Sequence, residues 1–186
     1  MLCIETKSLF KKYNSINAVD GIDLNIESGQ VFGFLGPNGA GKSTVIKLLT
    51  TLIQPTKGQV SVLGINTNKN PLEIRKRIGV ILQQPSYEPT LSVEKSLDKY
   101  GMMWDVDSKT RKKRTEELLT SFELQDIRKK KTEDLSIGLR RRVQVAREFM
   151  HDMDLLFLDE PTVGLDPSAR RKLLDFLKNK VKETGL

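Results

Sequence analysis

Three short stretches carry residue types that can handle a phosphate group. The first, "GPNGAGKST" at 36–44, fits the spacing G-x-x-x-x-G-K-[ST] through Gly36, Gly41, Lys42 and Ser43. Glycines there let successive backbone N–H groups turn inward as a nest for phosphate oxygens, and a helix after the loop adds its positive end. Lys42 is then placed to reach the β- and γ-phosphates, and the Ser43 hydroxyl to coordinate Mg²⁺. The second stretch, "LLFLDE" at 155–160, brings Asp159 out of a buried apolar strand, where its carboxylate can hold Mg²⁺ through water. Glu160 follows at the strand's exit, where a carboxylate can polarise an attacking water as general base. The third, "LSIGLRRR" at 135–142, opens a helix with Ser136 and Gly138, and a helix start of this kind is an anion site.

The elements around these stretches must aim them. An apolar strand over 31–35 is expected before the phosphate loop, and a helix carrying Val45, Ile46, Leu48, Leu49 and Leu52 after it. Short strands are expected at "LCIETKSLF", "AVDGIDLNIE" and "QVSVLG", punctuated by Gly21, Gly29, Gly58 and Gly64. The character changes at 86, where "SVEKSLDKYGMMW" and "SKTRKKRTEELLTSF" read as helices capped by Ser92 and Ser108. In the third stretch Leu139, Val143, Ala146 and Met150 recur at helical spacing and bury one side, which leaves the arginines mostly on the exposed flank. After "DLLFLDE", Asp166 caps a last helix with Pro167 at its first position and Leu173, Leu177 and Val181 on one face.

Composition narrows the class. A chain of 186 residues, 38% apolar and 30% charged, suits one globular domain with a substantial core. No apolar run approaches the roughly 20 residues needed to cross a bilayer, and the start shows no signal peptide. One cysteine, Cys3, makes no internal disulfide. The net charge of +7 favours anionic partners. No interleaved aromatics or base-reading pattern accompany the basic helix, so nucleic acid is not expected as a partner. A guanine-specific site is disfavoured too, because "NKN" at 68–70 lacks the acid such a motif needs two residues after its lysine.

Together these stretches resemble the nucleotide-binding domain of ABC transporters, over essentially the whole chain. "GPNGAGKST" is similar to the family's Walker A loop, "LLFLDE" to its Walker B strand, and "EPTVGLD" to the segment ending in the D-loop aspartate, here Asp166. The resemblance implies that Gly36, Pro37, Asn38, Gly39, Ala40, Gly41, Lys42, Ser43 and Thr44 bind ATP. It implies that Tyr13 stacks on adenine with Val19 beside it. In the Q-loop-like "IGVILQQPSYEPTLSVEKSL", Gln83 would contact Mg²⁺ and the attacking water, with Gln84 as the alternative. "LSIGLRRR" takes the place of the family signature, so Ser136 and Gly138 would serve the γ-phosphate held by a second such domain, head to tail, as a homodimer. Details such as "RRRVQVAREF" look most like the drug-exporter subgroup of daunorubicin-resistance type.

The implied fold is α/β: a P-loop NTPase (RecA-like) parallel core with an N-terminal antiparallel β subdomain and a helical insertion. The chain would be a single nucleotide-binding domain over 1–186, with the β subdomain and Walker A part at 1–85, the helical subdomain at 86–150, and Walker B, D-loop and last helix at 151–186. The implied function is the ATP-binding and ATP-hydrolysing subunit of a transporter, powering export by a separate permease from the cytoplasmic face of the cell membrane. Met102, Met103 and Trp104 would then be either permease contacts or core of the helical part.

Two departures qualify that expectation. Ile137 stands where the family commonly has Gly and Leu139 where it often has Gln, which points to a weakened composite site. The family also continues past "KETGL" with an apolar strand and a switch histidine, and His151 lies before Walker B, too early for that role. The chain is therefore expected to be a fragment, or a truncated, split or decayed frame, with its parallel core incomplete at the C-terminus. The alternative function is a domain that binds nucleotide but turns it over poorly. DNA-repair relatives are set aside because they place a long coiled coil between the phosphate loop and the signature, and translation-factor relatives because they carry two such domains.

Overall fold

Alternating apolar residues in the first quarter of the chain produce paired strands. The computed structural model describes residues 2–84 and 86–186. Strand β1 (Leu2–Tyr13) pairs antiparallel with β2 (Ile16–Glu27) on one side and with β3 (Lys57–Val62) on the other, and β3 turns back into the short β4 (Ile65–Asn66). The order is β2-β1-β3-β4. Thr6 locks the middle of the sheet: its hydroxyl donates to the Ile22 carbonyl and accepts from the Leu24 N–H, both at 2.9 Å. The buried face carries Ile4, Leu9, Val60 and Val62.

Helix α1 (Lys42–Leu49) packs on β2 and β3 through Val45, Ile46, Leu48 and Leu49, all buried, with Lys47 turned outward. This amphipathic division is what anchors the start of the helix, and therefore the phosphate loop, to the sheet. Leu52, read as part of the helix stripe, lies beyond the helix end and is exposed. Helix α2 (Pro71–Lys76) follows; its Arg75 donates to the Thr51 hydroxyl at 2.7 Å and the Thr51 carbonyl at 2.8 Å.

The strand expected over 31–35 does not form. Residues 30–37 have no regular structure, and Val31 and Leu35 are 78% and 97% exposed. The Phe32 and Phe34 rings stand in edge contact at 5.2 Å. A strand, however, is stabilised by ladder partners on its edges, and this segment has none among the described residues. Sequence pattern reports the apolar character of a segment, not the presence of its neighbour.

The chain divides into two compact units: Met1–Gly79 with Met153–Phe157 and Val181–Leu186, and Val80–Asp152 with Leu158–Lys180. Strands β5 (Ile78–Ile81) and β6 (Leu155–Leu158) contribute residues to both. In the first unit the Asp154 N–H donates to the Arg77 carbonyl; in the second the Asp159 N–H donates to the Ile81 carbonyl, each at 2.8 Å. The two bonds advance in the same direction along both strands, so this pair is parallel.

The second unit is mainly helical. Helices α3 (Val93–Met103), α4 (Ser108–Ser121) and α5 (Ile137–Glu148) pack through Leu97, Leu118, Leu119, Val143 and Ala146. Ser92 caps α3 as expected, its hydroxyl accepting from the Lys95 N–H. Helix α4 is capped one residue earlier than expected. Asp107 holds extended backbone angles and its carboxylate accepts from the Lys109 and Thr110 N–H groups at 3.0 Å, so Ser108 is the first helical residue. A carboxylate that reaches two orphan amides outcompetes the adjacent hydroxyl. At the end of α3, Met102 and Met103 are exposed, while Trp104 stacks on His151 at 4.0 Å. Helix α6 (Pro167–Thr184) closes the chain, with Ala169 and Leu173 buried.

Candidate functional site

In the first unit the phosphate loop forms the turn that its glycines permit. Gly36, Gly39 and Gly41 all have positive φ, and an Ala40 N–H to Pro37 carbonyl bond of 3.2 Å closes the turn. Gly41 is the N-cap of α1, at φ 86°, and no side chain bonds the helix start. The first-turn amides, those of Lys42, Ser43 and Thr44, are therefore left for an anion. The Lys42 ammonium donates to the carbonyls of Gly36 and Pro37, both at 2.8 Å, which folds its stem along the loop. With three N–H groups on an ammonium, one remains for a phosphate oxygen. Val19 is buried on β2 against Gly41: a Cβ added there would lie 3.8 Å from the valine Cγ2. Tyr13 sits at the far end of β1, half exposed, with the Lys11 ammonium over its ring at 5.2 Å.

In the second unit the end of β6 carries the acidic pair. Asp159 is buried, whereas Glu160 is only partly so and adopts a left-handed backbone at φ 49°. The Gln83 amide donates from Nε2 to Glu160 Oε2 at 2.8 Å, although the two are far apart in sequence. Gln84 is exposed. Among the described residues no group of three His, Cys, Asp or Glu side chains stands ready to hold a metal. A Mg²⁺ ion keeps most of its shell as water and phosphate oxygens, so one hydroxyl and one carboxylate of the Ser43 and Asp159 types fit it.

The arginines of "LSIGLRRR" were expected on the exposed flank of α5, and Arg141 contradicts this. It is 3% exposed, with its guanidinium turned to main-chain carbonyls at the end of β6. Burial pushes its pKa down, while the nearby Asp159 and Glu160 charges pull it up. Charge in a sequence reads as surface because lone charged groups are rarely buried, but a fully paired guanidinium is the exception. The available signal was a second stripe: Arg141, Gln144, Val145 and Glu148 recur at helical spacing, and all four are buried.

Ser136 is the N-cap of α5 and its hydroxyl accepts from the Leu139 N–H at 3.3 Å. Gly138 is hemmed in, since an added Cβ would come 3.0 Å from the Gly164 carbonyl. Ser136, Ile137, Gly138, Leu139, Gly164 and Asp166 share a depression of about 340 Å³, and Ile137 stands at it 66% exposed. Asp166 caps α6, its carboxylate accepting from Ser168 and Ala169 N–H groups at 2.9 and 3.0 Å. The Ala169 amide, foremost, holds that carboxyl below the usual carboxylate range.

The Asp166 cap has a pH signature. The unfolded chain takes up the proton first as pH falls, so the cap's contribution is full above the ordinary aspartate pKa of ~3.9 and is lost below it. The melting-point gap between wild type and Asp166→Ala is expected to shrink when scans at about pH 7 are compared with scans at about pH 3.

The family described as ABC transporter matches residues 19–163, from Val19 through the phosphate loop, the signature and the acidic pair. The chain belongs to the ABC transporter family. Among curated ABC relatives, it is 42% identical over 94% of its length to "Daunorubicin/doxorubicin resistance ATP-binding protein DrrA" of Streptomyces peucetius, of which it covers 53%. It is 37% identical over 98% of its length to "Bacitracin transport ATP-binding protein BcrA" of Bacillus licheniformis, of which it covers 59%. The chain thus spans about half the length of these ABC relatives. A dimeric post-hydrolysis structure of the ATP-binding cassette MJ0796, bound to ADP and Pi, superposes with a TM-score of 0.89 at 29% identity, covering 98% of this chain and 84% of that one. The expectation of an α/β P-loop NTPase fold with an N-terminal antiparallel β part and parallel strands therefore holds, the parallel strands among the described residues being β5 and β6.

Proposed function

We propose that this chain is the ATP-binding and ATP-hydrolysing subunit of an ABC transporter, powering export through a separate membrane permease. The observation that carries the reading is the Gln83–Glu160 hydrogen bond of 2.8 Å beside a buried Asp159. It pairs an amide with a carboxylate at the exit of the Walker B strand, where water must be oriented and deprotonated. The relatives' printed names, a daunorubicin/doxorubicin resistance protein and a bacitracin transport protein, support export of a drug-like molecule.

In this reading the uncapped amides of Lys42, Ser43 and Thr44 and the loop from Gly36 through Pro37, Asn38, Gly39, Ala40 and Gly41 bind the phosphates. Tyr13 and Val19 take the adenine. Ser43, Asp159 and Gln83 would hold Mg²⁺, which would supply charge neutralisation on the phosphates. Lys42 donates to the terminal phosphates, Gln83 orients the water, and Glu160 accepts its proton. Ser136, Gly138 and Asp166 face the nucleotide of a second copy, paired head to tail as a homodimer; that the MJ0796 cassette is dimeric supports pairing as such. No helix is long and apolar enough to cross a membrane among the described residues. In this reading a permease places the subunit at the cytoplasmic face of the membrane.

The test is nucleotide binding followed by phosphate release. The protein is expected to bind a fluorescent ATP analogue with Mg²⁺ present and to release phosphate from ATP. Binding without any release would leave the nucleotide-binding half and remove the hydrolytic half. Failure to bind adenine nucleotide at all would remove both.

Ile137 gives a further prediction. Its branched side chain stands in the depression beside Ser136, where a mate's phosphate would approach. Ile137→Gly is expected to tighten ATP-dependent dimerisation by roughly 10-fold, the equivalent of ~1.4 kcal/mol, in sedimentation velocity. Equal dimerisation constants for the two proteins would show that Ile137 does not obstruct the composite site.

A further inference from the structure

Glu160 combines two features that are costly to hold together. Its backbone lies in the left-handed region at φ 49°, and its side chain is engaged by Gln83 from another segment. A non-glycine residue persists there only when its surroundings over-determine it. Five contacts of one side chain supply that determination.

The Arg141 guanidinium has five N–H groups, and each finds an acceptor. Nε donates to the Pro161 carbonyl at 3.1 Å. Nη2 donates to the carbonyls of Asp159 at 3.0 Å and Glu160 at 2.9 Å. Nη1 donates to the Leu82 carbonyl at 2.7 Å and to Gln144 Oε1 at 2.8 Å. Three successive carbonyls around the strained residue are thus held by one rigid plane, and a fourth belongs to the residue just before Gln83. Gln144, one helical turn along α5, holds the guanidinium in return. Four of the five contacts are to main-chain carbonyls, so they fix the positions of the backbone from which Glu160 and Gln83 project, whatever their side chains do.

We propose that Arg141 is the positioning residue that sets Glu160 and Gln83 for water activation, and that it does so from the signature helix. The inference rests on the reading of Glu160 as the base. Because Ser136 caps the same helix, a shift of α5 at its start is carried by Arg141 to the main chain at 82 and 159–161. The helix that offers an anion site thereby also fixes the spacing of the water-handling pair. Lysine is no substitute: its three N–H groups radiate from one atom and cannot span Leu82 and Pro161 together.

The experiment compares Arg141→Lys with wild type and with Leu119→Ala, which weakens only the helical core. Arg141→Lys is expected to lower kcat by about 10- to 100-fold while KM for ATP stays within about twofold, as for a misplaced catalytic pair. Leu119→Ala is expected to lose melting temperature but keep kcat at assay temperature. Amide exchange read by mass spectrometry on peptides covering 82–84 and 159–163 is expected to rise in Arg141→Lys alone. A kcat within about twofold of wild type, or kcat and KM drifting together as Leu119→Ala does, would overturn the positioning role. If wild type releases no phosphate, the reading of Glu160 fails, and the exchange arm still decides the inference: unchanged protection at both segments overturns it.

Discussion

Glu160→Gln is expected to lower ATP turnover by about 10²–10⁴-fold, the usual worth of a positioned general base, while nucleotide affinity stays within about twofold. The substitution keeps shape and keeps an oxygen to accept from Gln83 Nε2, which lies 2.8 Å from the native carboxylate. What it removes is the lone pair basic enough to take a proton from water. The Arg141 contacts are to main-chain carbonyls at this position and are untouched, so folding should change little. Steady-state phosphate release together with equilibrium titration of a fluorescent ATP analogue checks both halves. Turnover reduced by less than about threefold would mean that Glu160 merely ends the strand before Pro161.

Gly41→Ala should act on binding. The position has φ 86°, and an added Cβ would lie 2.3 Å from the Ala18 carbonyl oxygen, a distance that real atoms do not tolerate. Either β2 must retreat at Ala18 and Val19 or the start of α1 must swing away, and the second course misaligns the amides offered to phosphate. A loss of at least about tenfold in affinity for ATP is expected, equivalent to ~1.4 kcal/mol. Left-handed strain of roughly 1–2 kcal/mol adds to it, with a fall in melting temperature of about 2–4 °C per kcal/mol. Gly29→Ala is the control. It has a similar φ of 77° but nothing within 4 Å of its added Cβ, so it carries the strain without the clash. Its affinity for ATP should be unchanged. Equal affinities for both variants and wild type would show that the loop does not depend on close approach to β2.

The parts of the site legible in the sequence are those set by local covalent geometry. Gly36, Gly41, Lys42 and Ser43 declare their turn by spacing alone, and the turn and helix start form as read. Ser136 and Asp166 are capping types before apolar stripes, and both cap. Asp107 was missed in favour of Ser108 because two good caps stand side by side and only the backbone angles choose between them. Arg141 is not legible because a sequence does not show which charged side chain will find acceptors for all its hydrogens, and four of the five acceptors come from segments 18 to 59 positions away. The strand at 31–35 fails for the converse reason: its own residues are right, and no ladder partner flanks it among the described residues. Local rules are legible; long-range partners are not.

The segment Val31–Phe32–Gly33–Phe34–Leu35 has a consequence for handling. An exposed apolar run without a backbone partner among the described residues is a template on which another chain can build, and it contains neither proline nor charge to discourage that. Concentrated solutions should therefore scatter light and bind amyloid dyes sooner than a protein of this net charge normally would. A lysine placed at Phe32 is the gatekeeper that should delay both.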